Sequence, residues 1–119
     1  MKRLIVTYKP STVVRVPFPF VDSGTTKFRP ALVLSAEEYN STHGHSVMAM
    51  ITSAKHSGWS SDVSITDLGS TGLSFPSIVR FKLFTLDNRL VTNAIGNLGE
   101  ADWNAVLRVL GGILPTQQM

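Results

Sequence analysis

Only one stretch of this chain, Gly99–Leu114, spaces its apolar residues at a helical period; everything before it is cut into short runs. Trp103, Val106, Leu107, Leu110 and Leu114 fall at i, i+3, i+4, i+7 and i+11, which predicts one apolar stripe. Gly99 is placed to cap this helix, Asp102 falls in its first turn, and Pro115 closes its far end. The earlier runs read as strands. Thr12–Phe20 opens with crowded β-branched residues, and Pro17 and Pro19 then deny ladder donors. Pro30–Ser35 is a second run. Val47–Ile51 is apolar on both faces, which predicts a central strand. Asp62–Thr66, Ser77–Phe84 and Leu90–Ile95 follow, the last after an Asp87-Asn88 turn. Polar or glycine-bearing connections separate them, and Ala36–His45 has room for a helical turn. The sum is a mainly β chain of about six or seven short strands, a small barrel or coiled antiparallel sheet, with a C-terminal helix.

A length of 119 residues and a hydrophobic fraction of 43% predict one domain over residues 1–119 with a real core. No cysteine is present, so disulfides and thiolate metal sites are excluded. No apolar run reaches membrane-spanning length, and the apolar part of the N-terminus is too short for a signal peptide. These features predict a soluble, cytoplasmic protein. The net charge of +3 is carried by dispersed lysines and arginines, so any basic surface has to be assembled by folding.

Arg29 stands directly before Pro30, which biases its backbone to an extended conformation at the mouth of a buried strand. A guanidinium held at such an edge is suited to a phosphate. In Ser77–Phe84, period two puts Val79, Phe81 and Leu83 on one face and Ile78, Arg80, Lys82 and Phe84 on the other. Two cations beside large apolar side chains suit a groove that tracks a nucleic-acid backbone. Thr52-Ser53 ends the central strand, and Lys55 and His56 follow in a polar loop where His56 is suited to a proton shuttle. His43, His45 and His56 lack a further obvious ligand, so no metal is expected. Trp59 reads as a stacking residue or a loop anchor, Trp103 as helix–sheet core, and Phe18 and Phe20 as core or dimer contacts.

Several ordered pieces together resemble the PemK/MazF family of toxin endoribonucleases, from about Ser11 to Leu114. They are Val13-Val14-Arg15-Val16-Pro17-Phe18-Pro19-Phe20, Arg29-Pro30-Ala31-Leu32-Val33-Leu34-Ser35, Ile51-Thr52-Ser53, Gly72-Leu73, Pro76-Ser77-Ile78-Val79-Arg80, Leu83-Phe84-Thr85-Leu86-Asp87 and Ile95-Gly96-Asn97-Leu98. The resemblance implies a homodimeric SH3-like β-barrel of the MazF/CcdB type. It implies metal-independent, cofactor-free, sequence-specific cleavage of single-stranded RNA to 2′,3′-cyclic phosphate and 5′-hydroxyl ends. By residue match Arg29, Thr52 and Arg80 are the catalytic set, and Lys27, Ser53, Lys55, His56 and Lys82 are expected along the RNA. The partner it implies is a separate antitoxin whose acidic, disordered tail enters the same groove.

The chain departs from the family pattern at two points. Lys82 stands where some members carry an aspartate, and Ser11-Thr12 replaces the usual Gly-Asp opening. The first departure motivates an alternative, a binding module with weakened catalysis. A gyrase-binding toxin of the CcdB kind is a further alternative, although Leu114–Met119 does not resemble that binding segment.

Overall fold

The computed structural model describes residues 7–18, 27–55 and 58–115. Its described strands form a single sheet: β1 (Thr12–Pro17), β2 (Phe28–Val33), β3 (His45–Ser53), β4 (Val63–Ser64), β5 (Ser77–Asp87) and β6 (Asn93–Asn97). Every pairing is antiparallel, in the order β4-β5-β3-β2-β1-β6. A short helix, α1 (Glu37–His43), joins β2 to β3, and α2 (Glu100–Ile113) ends the described chain. The result is a curled, mainly β half-barrel with a C-terminal helix, as the periodicity predicts.

The centre of the sheet is buried on both faces, which explains its unbroken apolar runs. In β2, Ala31, Leu32 and Val33 are all fully buried. Leu32 points with Val13, Ala49, Ile51, Val79 and Phe81 into a core closed by Val106 of α2. Ala31 and Val33 point the other way, with Val14, Val16, Met48 and Leu86. A strand covered on both faces loses the apolar–polar alternation of a half-exposed one. β3, expected to be central, lies between β2 and β5.

Among the differences from expectation, two boundaries and one helix face have clear physical reasons. β5 continues to Asp87 because its register with β3 shifts between Ala49 and Met50 and then resumes. β6 begins at Asn93 rather than Leu90, because Asn88–Leu90 forms a 3-10 turn. That turn is tied down by Asn88, which accepts from Ser46 Oγ at 2.6 Å and donates to the Asn40 carbonyl at 3.0 Å. In α2 the stripe is rotated from the expected one. Val106 is buried and Trp103, Val109 and Leu110 pack on the core, whereas Leu107 and Leu114 are exposed. Asp102 sets that rotation: it is buried and accepts from Thr66 N, Thr66 Oγ1 and Asp67 N at 2.9, 2.7 and 3.1 Å.

The connection from β4 to β5 is anchored before it reaches the site. Thr71 is fully buried; its hydroxyl donates to the Leu68 carbonyl at 2.7 Å and accepts from Leu73 N at 3.1 Å. Asn97 N donates to the Ser70 carbonyl at 2.8 Å, which lays the turn against β6. Two glycines permit this approach. A Cβ on Gly72, whose φ is +77°, would lie 2.1 Å from the Ile95 carbonyl oxygen. A Cβ on Gly96 would lie 2.4 Å from the Thr71 carbonyl carbon.

Candidate functional site

The register of β2, β3 and β5 assembles the site. Ala31 pairs with Met50, so two further residues along each strand bring Arg29 level with Thr52, which in turn pairs with Ile78. Arg29 shares its sheet face with Ala31 and Val33, and Thr52 shares the same face with Met50 and Met48. Arg29 and Thr52 are therefore cross-strand neighbours although 22 intervening residues separate them in sequence.

At this end of the sheet lies a cavity of about 280 Å³. Arg29 and Pro30 of β2 line it with Ile51, Thr52 and Ser53 of β3. Its opposite wall is the anchored segment Gly72–Phe75 with Ser77. Arg15 of β1 and Ile95 of β6 complete it. Two arginines and four hydroxyl-bearing residues thus border this space at the strand ends, Arg15 and Ser53 from the Leu32 face of the sheet and Arg29 and Thr52 from the Ala31 face, and no carboxylate lines it among the described residues. Such a lining attracts an anion.

The polar groups differ in readiness. Arg29 has no ion-pair partner among the described residues. Its guanidinium carbon instead lies 5.9 Å from the centre of the Phe18 ring, which meets Phe84 edge to face at 6.2 Å. A ring on one side narrows the cation's freedom without neutralising it. Ser53 Oγ accepts from Lys55 N at 3.2 Å, so its proton remains available to a ligand. Ser77 Oγ donates to the Phe75 carbonyl at 2.7 Å and so helps hold the wall. Thr52 is buried at the cavity's edge.

Arg80 has a different environment from that expected. It does not line the cavity, although Met50–Arg80 is the residue pair next along from Thr52–Ile78 on the same face. Its Nε and Nη2 donate to Asp62 Oδ1 and Oδ2 at 3.2 and 2.9 Å, and both side chains are nearly buried, 11% and 10% exposed. The guanidinium also packs on the Trp59 ring, 5.5 Å from its centre. These hydrogen bonds from Arg80 hold the Asp62 carboxyl below its ordinary value, against the opposing effect of burial. They also raise the guanidinium further. A carboxylate missing from the arginine's own strand is thus supplied by the residue before β4. Local pattern did not indicate it, because only the Val63–Val79 register brings Asp62 across from Arg80.

Of the other expected residues, Lys27 and Lys55 are exposed at the ends of β2 and β3, and Lys82 is half-buried in the irregular part of β5. His56 lies outside the described residues, as do Asp22–Thr26 of the loop leading to Arg29, and Phe20. Arg15, Ser74, Phe75 and Ser77 are lining residues that the sequence reading did not single out. Arg15 had a signal available, since it is the exposed charge in an otherwise buried strand. Trp59 is half exposed and lies against the Arg80 guanidinium. No three His, Asp or Glu side chains come together as metal ligands among the described residues.

A curled six-stranded antiparallel sheet with a C-terminal helix and a cavity at one strand end defines a small barrel-like fold. The chain belongs to the PemK-like, MazF-like toxins of type II toxin–antitoxin systems, whose family model matches residues 9–114. Among solved structures it is similar to MazF from Deinococcus radiodurans, at 22% identity and a TM-score of 0.73, covering 93% of this chain and 99% of that one. It is also similar to an endoribonuclease from a mycobacterial species, at 14% identity and a TM-score of 0.74, covering 98% and 100%. A mycobacterial endoribonuclease in complex with its cognate antitoxin shows the same likeness, at 15% identity and a TM-score of 0.72, covering 95% and 98%. At these identities the likeness is one of fold. Among curated proteins, none matches the sequence. No helix among the described residues is long and apolar enough to cross a membrane.

Proposed function

We propose that this toxin is an endoribonuclease that cleaves single-stranded RNA at the cavity holding Arg29 and Thr52. The observation that carries the reading is that cavity, lined by two arginines and four hydroxyls with no described carboxylate. A phosphodiester seated there has its ribose 2′-oxygen attack the adjacent phosphorus. The bond to the 5′-oxygen of the next nucleotide breaks, leaving a 2′,3′-cyclic phosphate and a 5′-hydroxyl. Negative charge builds on the non-bridging oxygens, where the Arg29 guanidinium and the Thr52 hydroxyl donate. An arginine side chain stays protonated, so Arg29 acts as charge and donor; solvent water takes the 2′ proton and protonates the departing 5′-oxygen. The described lining offers no carboxylate or imidazole to hold a divalent cation, which supports cleavage in chelator. Arg15 draws the backbone in, and Lys27, Ser53, Lys55, His56 and Lys82 are assigned to its path. Arg80 joins catalysis only if phosphate displaces Asp62.

The partner of this reading is a cognate antitoxin whose acidic segment enters the same basic cavity, with the toxin itself a homodimer in the cytoplasm. The antitoxin complex formed by the mycobacterial relative supports the first of these. Charge complementarity favours such a segment over a neutral one.

Purified protein incubated with RNA in chelator tests the reading. Products with cyclic-phosphate ends are expected, and Arg29→Ala lowers the rate by about 10²–10³. Arg29→Lys keeps the charge but not the two-pronged donor, and falls between. Cleavage unchanged in Arg29→Ala removes the assignment. The Arg80–Asp62 pair favours one second reading, an RNA-binding module without catalysis. That reading predicts salt-sensitive RNA binding with no product in any buffer.

A further inference from the structure

A second cavity, of about 380 Å³, adjoins the first and is lined by Ser53, Ala54, Lys55, Phe75 and Pro76. Ser53 and Phe75 line both cavities, so the two spaces meet at these residues. We propose that this second cavity is the subsite for the nucleotide adjoining the cleaved bond, with Phe75 stacking on its base and Lys55 meeting its phosphate. The proposal rests on the ribonuclease reading and names a binding surface within it.

Phe75 is 72% exposed, more than any other large hydrophobic side chain among the described residues. Its ring contributes little to the core, yet its backbone is firmly held. The Phe75 carbonyl accepts from Ser77 Oγ at 2.7 Å, and the Pro76 carbonyl accepts from Ala54 N at 3.0 Å. The contact of Gly72 with Ile95 fixes the same wall from its other end. An exposed ring on a fixed backbone loses little entropy on stacking. Phe75 and Pro76 offer flat apolar surface, and Lys55 offers one positive charge. A nucleotide has that same pair of properties, a flat base and a phosphate. The shared Ser53 makes the subsite continuous with the phosphate position beside Arg29 and Thr52. An acidic peptide would use the charge and leave the flat surface without a matching partner.

The probe is a single-stranded oligoribonucleotide that carries the mapped cleavage sequence and a 2′-deoxy sugar at the cleaved position, so that it binds but is not cut. Phe75→Ala is expected to weaken binding about 5- to 100-fold, with Phe75→Trp restoring it. Removing the base next to the cleaved bond is expected to cost wild type the same factor and to cost Phe75→Ala almost nothing. Lys55→Ala is expected to lower the slope of log affinity against log salt by about one. Independent, additive losses from the abasic site and Phe75→Ala overturn the subsite, and so does unchanged RNA affinity with weakened binding of an acidic peptide. In both cases loss of cleavage in Arg29→Ala leaves the ribonuclease reading standing. A wild-type protein that neither binds nor cuts RNA removes both. Melting temperatures of all variants within a few degrees of wild type exclude unfolding as the cause.

Discussion

Arg80 and Asp62 form a two-pronged ion pair, at 2.9 and 3.2 Å, and Asp62 at the same time accepts from Trp59 N at 2.8 Å. One carboxylate therefore holds both the arginine of β5 and the loop that lays Trp59 over it. Asp62 here positions its neighbours, and its depressed pKa makes it a weak base.

Asp62→Asn is expected to destabilise the fold by about 1–3 kcal/mol at pH 7, since it removes a charge-assisted pair that is almost buried. The folded carboxyl titrates below its ordinary value of 3.8. Its stabilisation is complete above that value and is lost as pH falls through the lower, folded one. Denaturant titrations at pH 7 and below pH 3 check this. The gap between wild type and variant should shrink in acid, and a gap independent of pH would refute it.

Gly72→Ala and Gly96→Ala should each cost about 2–4 kcal/mol, because each added methyl group meets backbone atoms and Gly72 also has positive φ. Both should loosen the wall that carries Phe75. Loss of stability seen by thermal melting, together with lost RNA affinity, is the expected pair of effects.

Ser11 is the only non-glycine residue with positive φ among the described residues, at 76°. Its nitrogen donates to the Val33 carbonyl at 2.9 Å and its carbonyl accepts from Leu98 N at 2.8 Å, so the backbone cannot relax. Ser11→Gly relieves the left-handed strain at a smaller entropic cost. A gain of about 0.5–1 kcal/mol in a denaturant titration is expected.

No histidine, carboxylate or lysine lines the first cavity among the described residues. The cleavage rate is therefore expected to rise steadily from about pH 6 to 9, and His56→Ala should leave the profile's shape unchanged. A limb bending near about pH 6.5 that disappears in His56→Ala would make that histidine the proton carrier.

Much of this architecture is legible without coordinates. Apolar runs covered on both faces in β2 and β3 mark central strands, and the helical period of α2 is unmistakable. Arg29-Pro30 and Thr52-Ser53 each announce a strand end. The rotation of α2 was not legible, because Asp102 sets it through the backbone of Thr66 and Asp67, 36 and 35 residues away. Nor was the segment before β5, where Ser74 and Phe75 enter the site from a stretch that reads only as a connection.

The succession of short strands, the terminal helix and the strand-end position of Arg29 follow from local period and turn chemistry along the chain. What each cation faces is set by how the strands pair. Arg29 meets a ring and an open cavity, whereas Arg80 meets a carboxylate from the residue before the neighbouring strand. Strand register makes that choice, and register depends on pairing between segments that carry no local mark of one another.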